Sequence, residues 1–314
     1  MLKDKMRNSP YIVRNYRPSD FDNYIKLNIG AERLDPTERR SSPRVLSEKL
    51  GRPNYSPEQD LFVVESAGEI VGFMNVTPEL SSHRVIIDCL VHPEHRQRGL
   101  AEELLAYAIR RAKELKAKAA RVDIREDYIV AKSVLPRLGF TSACRFLELR
   151  LPLASAHLPN VTPNIYSRRH LQPGEEDKLT QLQNRSFAGN WEYNPNTTED
   201  IVYYTNMSHR SPEDVNLIYD KDRLIGYCWT NIDYETEAAN EGRGRICMLG
   251  VEPDYRGRGI GRIALLAGLA YLKNKGVRVV ELTVASENKI ARALYRSVGF
   301  KAWTSSLYYE KAID

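Results

Sequence analysis

The pattern of hydrophobic and polar residues predicts the same order of strands and helices in the two halves of the chain. Apolar runs with a strand period predict a pair of strands early in each half, and apolar residues at helical spacing predict a helix further on. A short strand then follows each helix. The paired strands are 61–64 with 70–73 and 215–219 with 224–229, the helical stretches are 104–112 and 263–270, and the later strands are 121–124 and 279–284.

The two halves also share a loop sequence. Residues 256–261 read RGRGIG, and residues 96–101, which lie 160 positions earlier, read RQRGLA. Near the start of the halves the offset is 155, so we assign five extra residues to the irregular loop 235–243. Residues 153–163 contain two prolines and no period, which is typical of a linker. The repeat therefore predicts two domains, 1–152 and 164–314, joined by the linker 153–163.

The order of elements predicts the fold class. Hairpin strands followed by strand, helix and strand are typical of an α/β domain that has a mixed sheet with helices on its faces. A chain of 314 residues is long enough for two such domains, each with its own core. We therefore expect two tandem α/β domains.

Composition narrows the classes of function. A net charge of +5 without a Lys/Arg stripe or an aromatic platform argues against nucleic-acid binding. The chain has neither a run of 18 apolar residues nor an apolar core after Met1, so we expect no membrane partner and a cytoplasmic protein. The four cysteines form no C-x-x-C pair and have no histidine cluster beside them, which predicts buried thiols and no metal site.

The glycine-rich loop indicates phosphate binding. A turn of this kind between a strand and a helix exposes backbone N–H groups and directs the helix dipole to one spot, which suits an anion. We expect Gly257, Gly259 and Gly261 to allow close approach of the ligand, because they have no Cβ. A tight turn without a ligand would explain one copy, but two copies in register favour a shared phosphate ligand.

The loop does not fit the common nucleotide-binding patterns. It runs G-x-G-x-G where a dinucleotide fold needs G-x-G-x-x-G, and the first copy retains only Gly99. Glu281 lies 20 residues beyond Gly261, the interval of a ribose-binding acid, but it falls within a predicted strand. The GK[ST] of a nucleotide-hydrolysing loop is also absent, so NAD and ATP are poor candidates.

The segment from Val251 to Gly261 resembles the acetyl-CoA loop of the GNAT superfamily of N-acetyltransferases, and the segment from Asn288 to Phe300 is similar to its second signature. The resemblance covers both halves and implies tandem GNAT domains that bind acetyl-CoA. It implies that backbone groups hold the pantetheine arm and the diphosphate, and that Asn288 lies beside the thioester. The implied acetyl-CoA residues are Leu249, Gly250, Val251, Arg256, Gly257, Arg258, Gly259, Ile260, Gly261 and Asn288, with Leu90, Val91, Arg96, Arg98, Gly99 and Ala101 in the first half.

The second signature includes a candidate general acid, Tyr295. Acetyl transfer needs a neutral amine as nucleophile and an acid that protonates the leaving thiolate, and a phenol with a pKa of ~10 suits a thiol of ~8.5. In the first half Leu135 replaces this tyrosine, Pro136 follows it, and Tyr128 replaces Asn288. We therefore predict that the C-terminal domain catalyses and the N-terminal domain is catalytically degenerate, with cofactor binding by the latter left open.

The general base and the acceptor site are less well defined by the sequence. Many superfamily members have a glutamate six residues before the valine of Val-x-Pro, but here that position is Arg245 in the second half and Val85 in the first. Glu241 is our candidate base, with Glu235 and Asp233 as alternatives. Substrate-binding candidates are Glu192 and Trp191, with Tyr193 beside them.

Residues 184–188 and 224–230 resemble a subgroup of duplicated superfamily members that acetylate a small-molecule amine. Asn231 and Arg245 depart from the lysine and glutamate expected there, and both departures concern the acceptor. The leading hypothesis is a small-molecule N-acetyltransferase that is a monomer or homodimer. The alternatives are an acetyltransferase for protein or peptide N-termini and an acyl-CoA-binding sensor without activity.

Overall fold

The computed structural model describes residues 10–34, 42–156, 158, 165–232 and 242–314. The chain forms two compact units, and neither is continuous in sequence. The first unit contains the chain up to Ile124, with Tyr128–Ala143 and Tyr308–Asp314. The second unit contains Arg125–Asp127 and Cys144–Leu307.

The first unit is built on five strands in the spatial order β1-β2-β3-β4-β5. Neighbouring strands are antiparallel except β4 and β5, which are parallel. The elements are β1 Ile12–Asn15, α1 Phe21–Leu34, α2 Pro43–Leu50, α3 Pro57–Asp60, β2 Leu61–Ser66, β3 Glu69–Glu79, β4 Arg84–Val91, α4 Leu100–Glu114, β5 Ala119–Arg125 and α5 Ile129–Arg137.

The second unit is built on strands in the order β12-β6-β11-β10-β9-β8-β7. One end of β6, residues 141–143, and one end of β12, residues 308–312, belong to the first unit. Again one central pair, β10 with β11, is parallel. Its elements are β6 Thr141–Pro152, β7 Ser167–His170, α6 Glu176–Ser186, α7 Thr198–Thr205, β8 Val215–Asp220, β9 Arg223–Ile232, β10 Arg243–Val251, α8 Ile260–Asn274, β11 Val279–Ala285, α9 Lys289–Val298 and β12 Lys301–Ala312.

Both units confirm the predicted fold class. The hairpins expected from the alternating pattern are β2–β3 and β8–β9, and each is followed by strand, helix and parallel strand. The helix α8 packs its apolar stripe on the sheet, and just beyond its end Gly276 has a φ of +82°, the left-handed conformation common after helices. Its buried side chains join Val280, Leu282 and Val284 of β11 in one core.

Part of the last strand of each repeat belongs to the other unit. Strand β6 closes the first repeat in sequence, but it pairs with β11 from Pro152↔Val279 to Phe146↔Ala285. In the first unit the chain end takes the corresponding place, since the N–H of Ile313 donates to the carbonyl of Lys118 at 3.0 Å. The domains predicted at 1–152 and 164–314 follow the sequence repeat and stay a prediction, because the compact units divide the chain differently. An apolar strand pattern does not reveal which sheet the strand joins.

The exchanged strand is part of the core of the second unit. Leu149 and Leu151 of β6 are buried in the same cluster as the inward side chains of β11 and α8. Burial of such a side chain contributes about 1.5–3 kcal/mol relative to leaving it exposed. Residues 148 and 150 alternate with them and therefore lie on the opposite face of the sheet.

The buried thiols expected from the sequence are found only in part. Cys228 is buried, whereas Cys89, Cys144 and Cys247 are only half-buried. None of the helices that the structure describes is both long and apolar enough to cross a membrane.

Candidate functional site

The glycine-rich loop of the second unit connects β10 to α8 through a short 3-10 turn, Pro253–Tyr255. Gly257 has φ +75°, and Gly259, the residue that precedes α8, has φ +80°. In the described part of the chain, no backbone oxygen accepts from the N–H groups of residues 257–261. These donors surround the N-terminus of a long helix, which is the arrangement that binds phosphate.

The glycines are needed for the path of the backbone. A Cβ built on Gly257 or Gly259 meets no heavy atom within 4 Å, so packing does not demand glycine at either position. Both residues instead have left-handed backbone conformations that side chains disfavour. At Gly261 an added Cβ would lie 3.4 Å from Leu294, an ordinary contact.

The loop of the first unit follows the same path. Gly99 has φ +78° before α4, and Gln97 has φ +63° at the position equivalent to Gly257. A non-glycine residue is uncommon in this region, so the conformation is maintained here against a local cost. The retained path shows that the repeat preserved the shape of the loop as well as part of its sequence.

Two arginines predicted to surround the diphosphate contact the backbone of the protein. Arg256 Nη2 donates to the carbonyl of Ser186 at 2.6 Å, and Arg96 Nε donates to the carbonyl of Val91 at 3.1 Å. The guanidinium of Arg258 lies 5.0 Å from the centroid of the Tyr255 ring. The loop therefore offers backbone N–H groups as its main donors, and its arginines brace the surrounding backbone.

The strands β10 and β11 separate beside this loop. They pair over three positions, from Arg243↔Val279 to Arg245↔Glu281. Beyond that point β10 follows β9 alone among the described strands, with an extra residue, Cys247, bulging between Ile246 and Met248. A bulge bends a strand and increases its twist. Leu249 and Val251 therefore lie on an edge of β10 that faces a widening gap.

Gly250 fits closely against the side of β9. A Cβ there would lie 2.3 Å from Tyr227 Cε1 and 3.0 Å from Ser186 Oγ, so glycine is required by packing. Tyr227 is fully buried, which raises the pKa of its phenol well above the usual value. Its hydroxyl and Ser186 Oγ have no hydrogen-bond partner among the described residues.

Tyr295, the candidate acid, lies on α9 in the core of the second unit. It is only 7% exposed, and its ring meets Phe300 edge to face at 5.9 Å. Burial, with a smaller contribution from Cys228, raises the pKa of the phenol above its ordinary value. The group is therefore protonated at neutral pH, as a proton donor must be. Leu135 has the same place in the first unit and is equally buried, at 7%.

Asn288 caps the helix that holds the candidate acid. Its Oδ1 accepts from the N–H of Ala291 at 3.0 Å, at the first turn of α9. Tyr128 precedes α5 at the equivalent position and makes no such bond. The asparagine thus has a structural role in addition to the position beside the thioester that the family resemblance implies.

The residues proposed to contact the acceptor lie between α6 and α7. Trp191 is 43% exposed and Glu192 is half-buried. Beside them Tyr193 donates to Asn184 Oδ1 at 2.6 Å and stacks on Phe187 at 5.1 Å, and burial raises its pKa to about 12. The segment is held in place by these contacts.

The candidate base Glu241, with its alternatives Glu235 and Asp233, lies outside the described residues. Arg245, which replaces the expected glutamate, donates to Thr283 Oγ1 and lies 3.5 Å from Glu148 Oε2. Thr283 Oγ1 in turn lies 3.1 and 3.0 Å from the two carboxylate oxygens of Glu148. The structure therefore places a carboxylate next to the position where the sequence lacks one.

Sequence reasoning missed Glu148 and Tyr227. Glu148 lies in the first repeat, and only the exchange of β6 brings it to β11. Tyr227 resembles an ordinary core residue of an alternating strand. No sequence signal marks the first. For the second, a glycine within the strand, Gly250, was a possible signal of a large side chain close by.

Comparison with known proteins agrees with this architecture. Residues 30–140 and 177–300 each match the model of the Acetyltransferase (GNAT) family. The duplicated subgroup that residues 184–188 and 224–230 resemble is that of mycothiol synthase, and the comparisons confirm this resemblance. The mycothiol acetyltransferase of Stackebrandtia nassauensis is 29% identical over 92% of this chain and 94% of its own length. That of Thermobispora bispora is 28% identical over 94% and 97%.

Two solved structures share the fold. A GCN5-related N-acetyltransferase from Sphaerobacter thermophilus has a TM-score of 0.72 at 22% identity and covers 98% of this chain and 96% of its own. A tandem GNAT protein from the clavulanic acid biosynthesis pathway has a TM-score of 0.71 at 18% identity, over 97% and 99%. At these identities the likeness concerns the fold.

Proposed function

Since this chain belongs to the GNAT family of acetyltransferases, we propose that it transfers the acetyl group of acetyl-CoA to the primary amine of a small molecule, with the chemistry in the second unit. The observation that carries this proposal is the conjunction of three features in that unit. They are a loop whose N–H groups have no backbone acceptor among the described residues, a gap between β10 and β11, and a buried phenol on α9.

The described residues suit the donor substrate. The N–H groups of residues 257–261 would hold the diphosphate, and the open edge of β10 from Leu249 to Val251 would align the pantetheine arm. Charge-assisted hydrogen bonds are worth about 1.5–3 kcal/mol each, so several of them hold a diphosphate without a metal. Acetyl-CoA supplies the activated acyl group, and the protein supplies position and protons.

Tyr295 is the group that donates the proton in this proposal. A buried phenol stays protonated until the moment of transfer, and a departing thiolate is a strong enough base to take its proton. Leu135 cannot donate a proton, so the first unit would not catalyse. Its loop nevertheless keeps the backbone path that holds a diphosphate, and binding of CoA there is part of the proposal.

A small-molecule acceptor is supported by the relatives named mycothiol acetyltransferase, which the chain matches over most of its length. The acceptor of this chain would differ from theirs in charge, because Arg245 and Asn231 change the side chains expected at the acceptor side. Trp191 and Glu192 are the candidates for contact with it.

The test is turnover of acetyl-CoA with a panel of amines. The panel contains methylamine, glucosamine, alaninamide and a peptide with a free N-terminus. The reaction is monitored by the release of the CoA thiol and by the mass of the product. The proposal predicts an acetylated small amine. Turnover of the peptide alone would favour a protein N-terminal acetyltransferase, and binding of acetyl-CoA without turnover of any amine would favour a sensor.

A further inference from the structure

The polar face of the second unit carries a carboxylate at the point where β10 and β11 part. Val280, Leu282 and Val284 of β11 face the apolar core, so Glu281 and Thr283 face the other side. In the ladder with β6, Thr283 is paired with Glu148. Glu148 is thus brought to this face by a strand from the first repeat.

The register between β10 and β11 defines where along the strands this carboxylate lies. The last pair between the parallel strands β10 and β11 is Arg245↔Glu281. Two residues further along each strand, Thr283 of β11 lies level with Cys247 of β10. Cys247 is the bulged residue at which β10 turns away. Glu148 therefore lies on the face next to the opening of the gap, on the strand beside β11.

Glu148 is less strongly ion-paired than its neighbour Glu281. Its side chain is 22% exposed, and its partners are the neutral hydroxyl of Thr283 and one guanidinium, that of Arg245, at 3.5 Å. Glu281 on the adjacent rung is more strongly neutralised. Arg150 donates to it at 2.9 and 2.5 Å, and Arg243 lies 3.9 Å away.

Two arginines on the same strand as Glu148 are also paired, and Arg210 lies 3.9 Å from the sulfur of Cys247. Arg145 on the same strand lies 2.6 Å from Glu126 Oε2, and Arg150 stacks on Trp303 at 3.8 Å from the ring centroid. Arg245 itself is 43% exposed and binds both Thr283 and Glu148. Glu148 is therefore less closely ion-paired than Glu281 or Glu126, and it lies nearer than Glu281 to the opening of the gap.

We propose that Glu148, supplied by the exchanged strand, is the general base of the acetyl transfer; this inference rests on the proposed function. Glu148 accepts one proton from the ammonium of the acceptor, and the freed nitrogen forms a C–N bond with the acetyl carbon. The C–S bond breaks, and Tyr295 donates its proton to the sulfur. The second proton that leaves the nitrogen restores the phenol, and the proton on Glu148 is lost to water.

The first unit cannot assemble the same group. The positions equivalent to Arg245, Thr283 and Glu148 are Val85, Asp123 and Tyr308. The first unit thus lacks an equivalent of the proposed base, Glu148. It also lacks an equivalent of the proposed acid, since Leu135 replaces Tyr295. The second catalytic group thus comes from the repeat that has lost its own chemistry.

The test compares Glu148→Gln with the matched control Glu281→Gln in the full-length protein. With the best amine of the panel, Glu148→Gln should lower kcat/KM for the amine by about 10²-fold or more at pH 7, because a general base contributes about 10²–10⁴-fold. The loss should shrink as the pH rises and the amine loses its proton in solution. The KM for acetyl-CoA should not change, and Glu281→Gln should retain the wild-type rate and pH profile.

A second variant allows the inference to be tested even if Glu148→Gln does not fold. Arg245→Gln leaves the carboxylate in place and removes its neighbouring positive charge, so it should stay active with the acidic limb of its pH profile moved to higher pH. The inference is wrong if Glu148→Gln, folded as judged by thermal unfolding, has the wild-type rate and profile. It is also wrong if Glu281→Gln loses as much activity, or if the acidic limb of Arg245→Gln does not move. A wild-type protein that acetylates none of the amines overturns the proposed function, and the inference with it.

Discussion

The two glycine-rich loops follow nearly the same backbone path, but their surroundings differ. Gln97 and Gly257 have φ of +63° and +75°, and Gly99 and Gly259 have φ of +78° and +80°. Among the described residues, the second unit has a buried phenol and an asparagine cap on α9 and a bulge in β10 beside its loop, whereas Leu135 and Tyr128 replace the phenol and the cap in the first unit. The shape of the loop is therefore retained where the candidate groups for acid–base chemistry differ.

A second contrast concerns the exchanged strands. Arg150 on β6 pairs with Glu281 in the second unit, and in the first unit Arg121 pairs with Glu310 at 2.7 Å. These are equivalent positions with the charges interchanged. The interaction has been kept while its residues were replaced, which indicates that the rung is structural in both units.

The largest effect should come from removal of the phenol. We expect Tyr295→Phe to lower kcat by about 10²–10⁴-fold, because a positioned acid contributes this much, while the KM for acetyl-CoA stays the same. Leu135→Met in the first unit is the matched control and should keep the full rate. Steady-state kinetics of both variants checks this. An active Tyr295→Phe would remove the main difference between the units.

The loop glycine should have an intermediate effect. Gly259→Ala forces an alanine into a left-handed conformation that costs roughly 1–2 kcal/mol, so we expect the KM for acetyl-CoA to rise about tenfold. Gly68→Ala is the matched control, since Gly68 has the same φ of +80° in a hairpin turn. It should lower stability without raising the KM. Equal KM values for the two variants would contradict a binding role for the loop.

The charge-interchanged rung predicts a smaller effect on stability. Glu281→Arg alone should destabilise the protein by about 1 kcal/mol, because it adds a third guanidinium group beside those of Arg150 and Arg243 in a partly exposed site. Adding Arg150→Glu copies the arrangement of the first unit and should restore most of the loss. Urea unfolding of the single and double variants measures the coupling. A double variant no more stable than the single one would show that the rung is not interchangeable.

The smallest effect should come from the helix cap. Tyr128→Asn gives α5 the cap that Asn288 provides to α9, and we expect a gain of about 0.5–1 kcal/mol in stability. Asn288→Ala should lose a similar amount. The two changes together should nearly cancel in the free energy of unfolding. A loss of stability in Tyr128→Asn would mean that Tyr128 makes contacts that outweigh a cap.

The features that could be predicted from the sequence are those that depend on local residues. The hairpins follow from alternation, the loop from its glycines, and the helix that carries Tyr295 from a signature close to it. The exchange of β6, the bulge at Cys247 and the contact of Arg256 with Ser186 could not be predicted. Each of these depends on which distant segment lies alongside, and no periodicity records that. The proposed base belongs to the same class, because Glu148 reaches the site only through the exchange.

In the proposed function, backbone N–H groups of residues 257–261 hold the diphosphate of acetyl-CoA so that its thioester faces Tyr295. A crystal structure of the protein with acetyl-CoA tests this most directly. We expect the diphosphate oxygens within hydrogen-bond distance of those N–H groups and the sulfur on the side of the Tyr295 hydroxyl. A diphosphate bound elsewhere in the second unit, or a sulfur remote from Tyr295, would contradict the account.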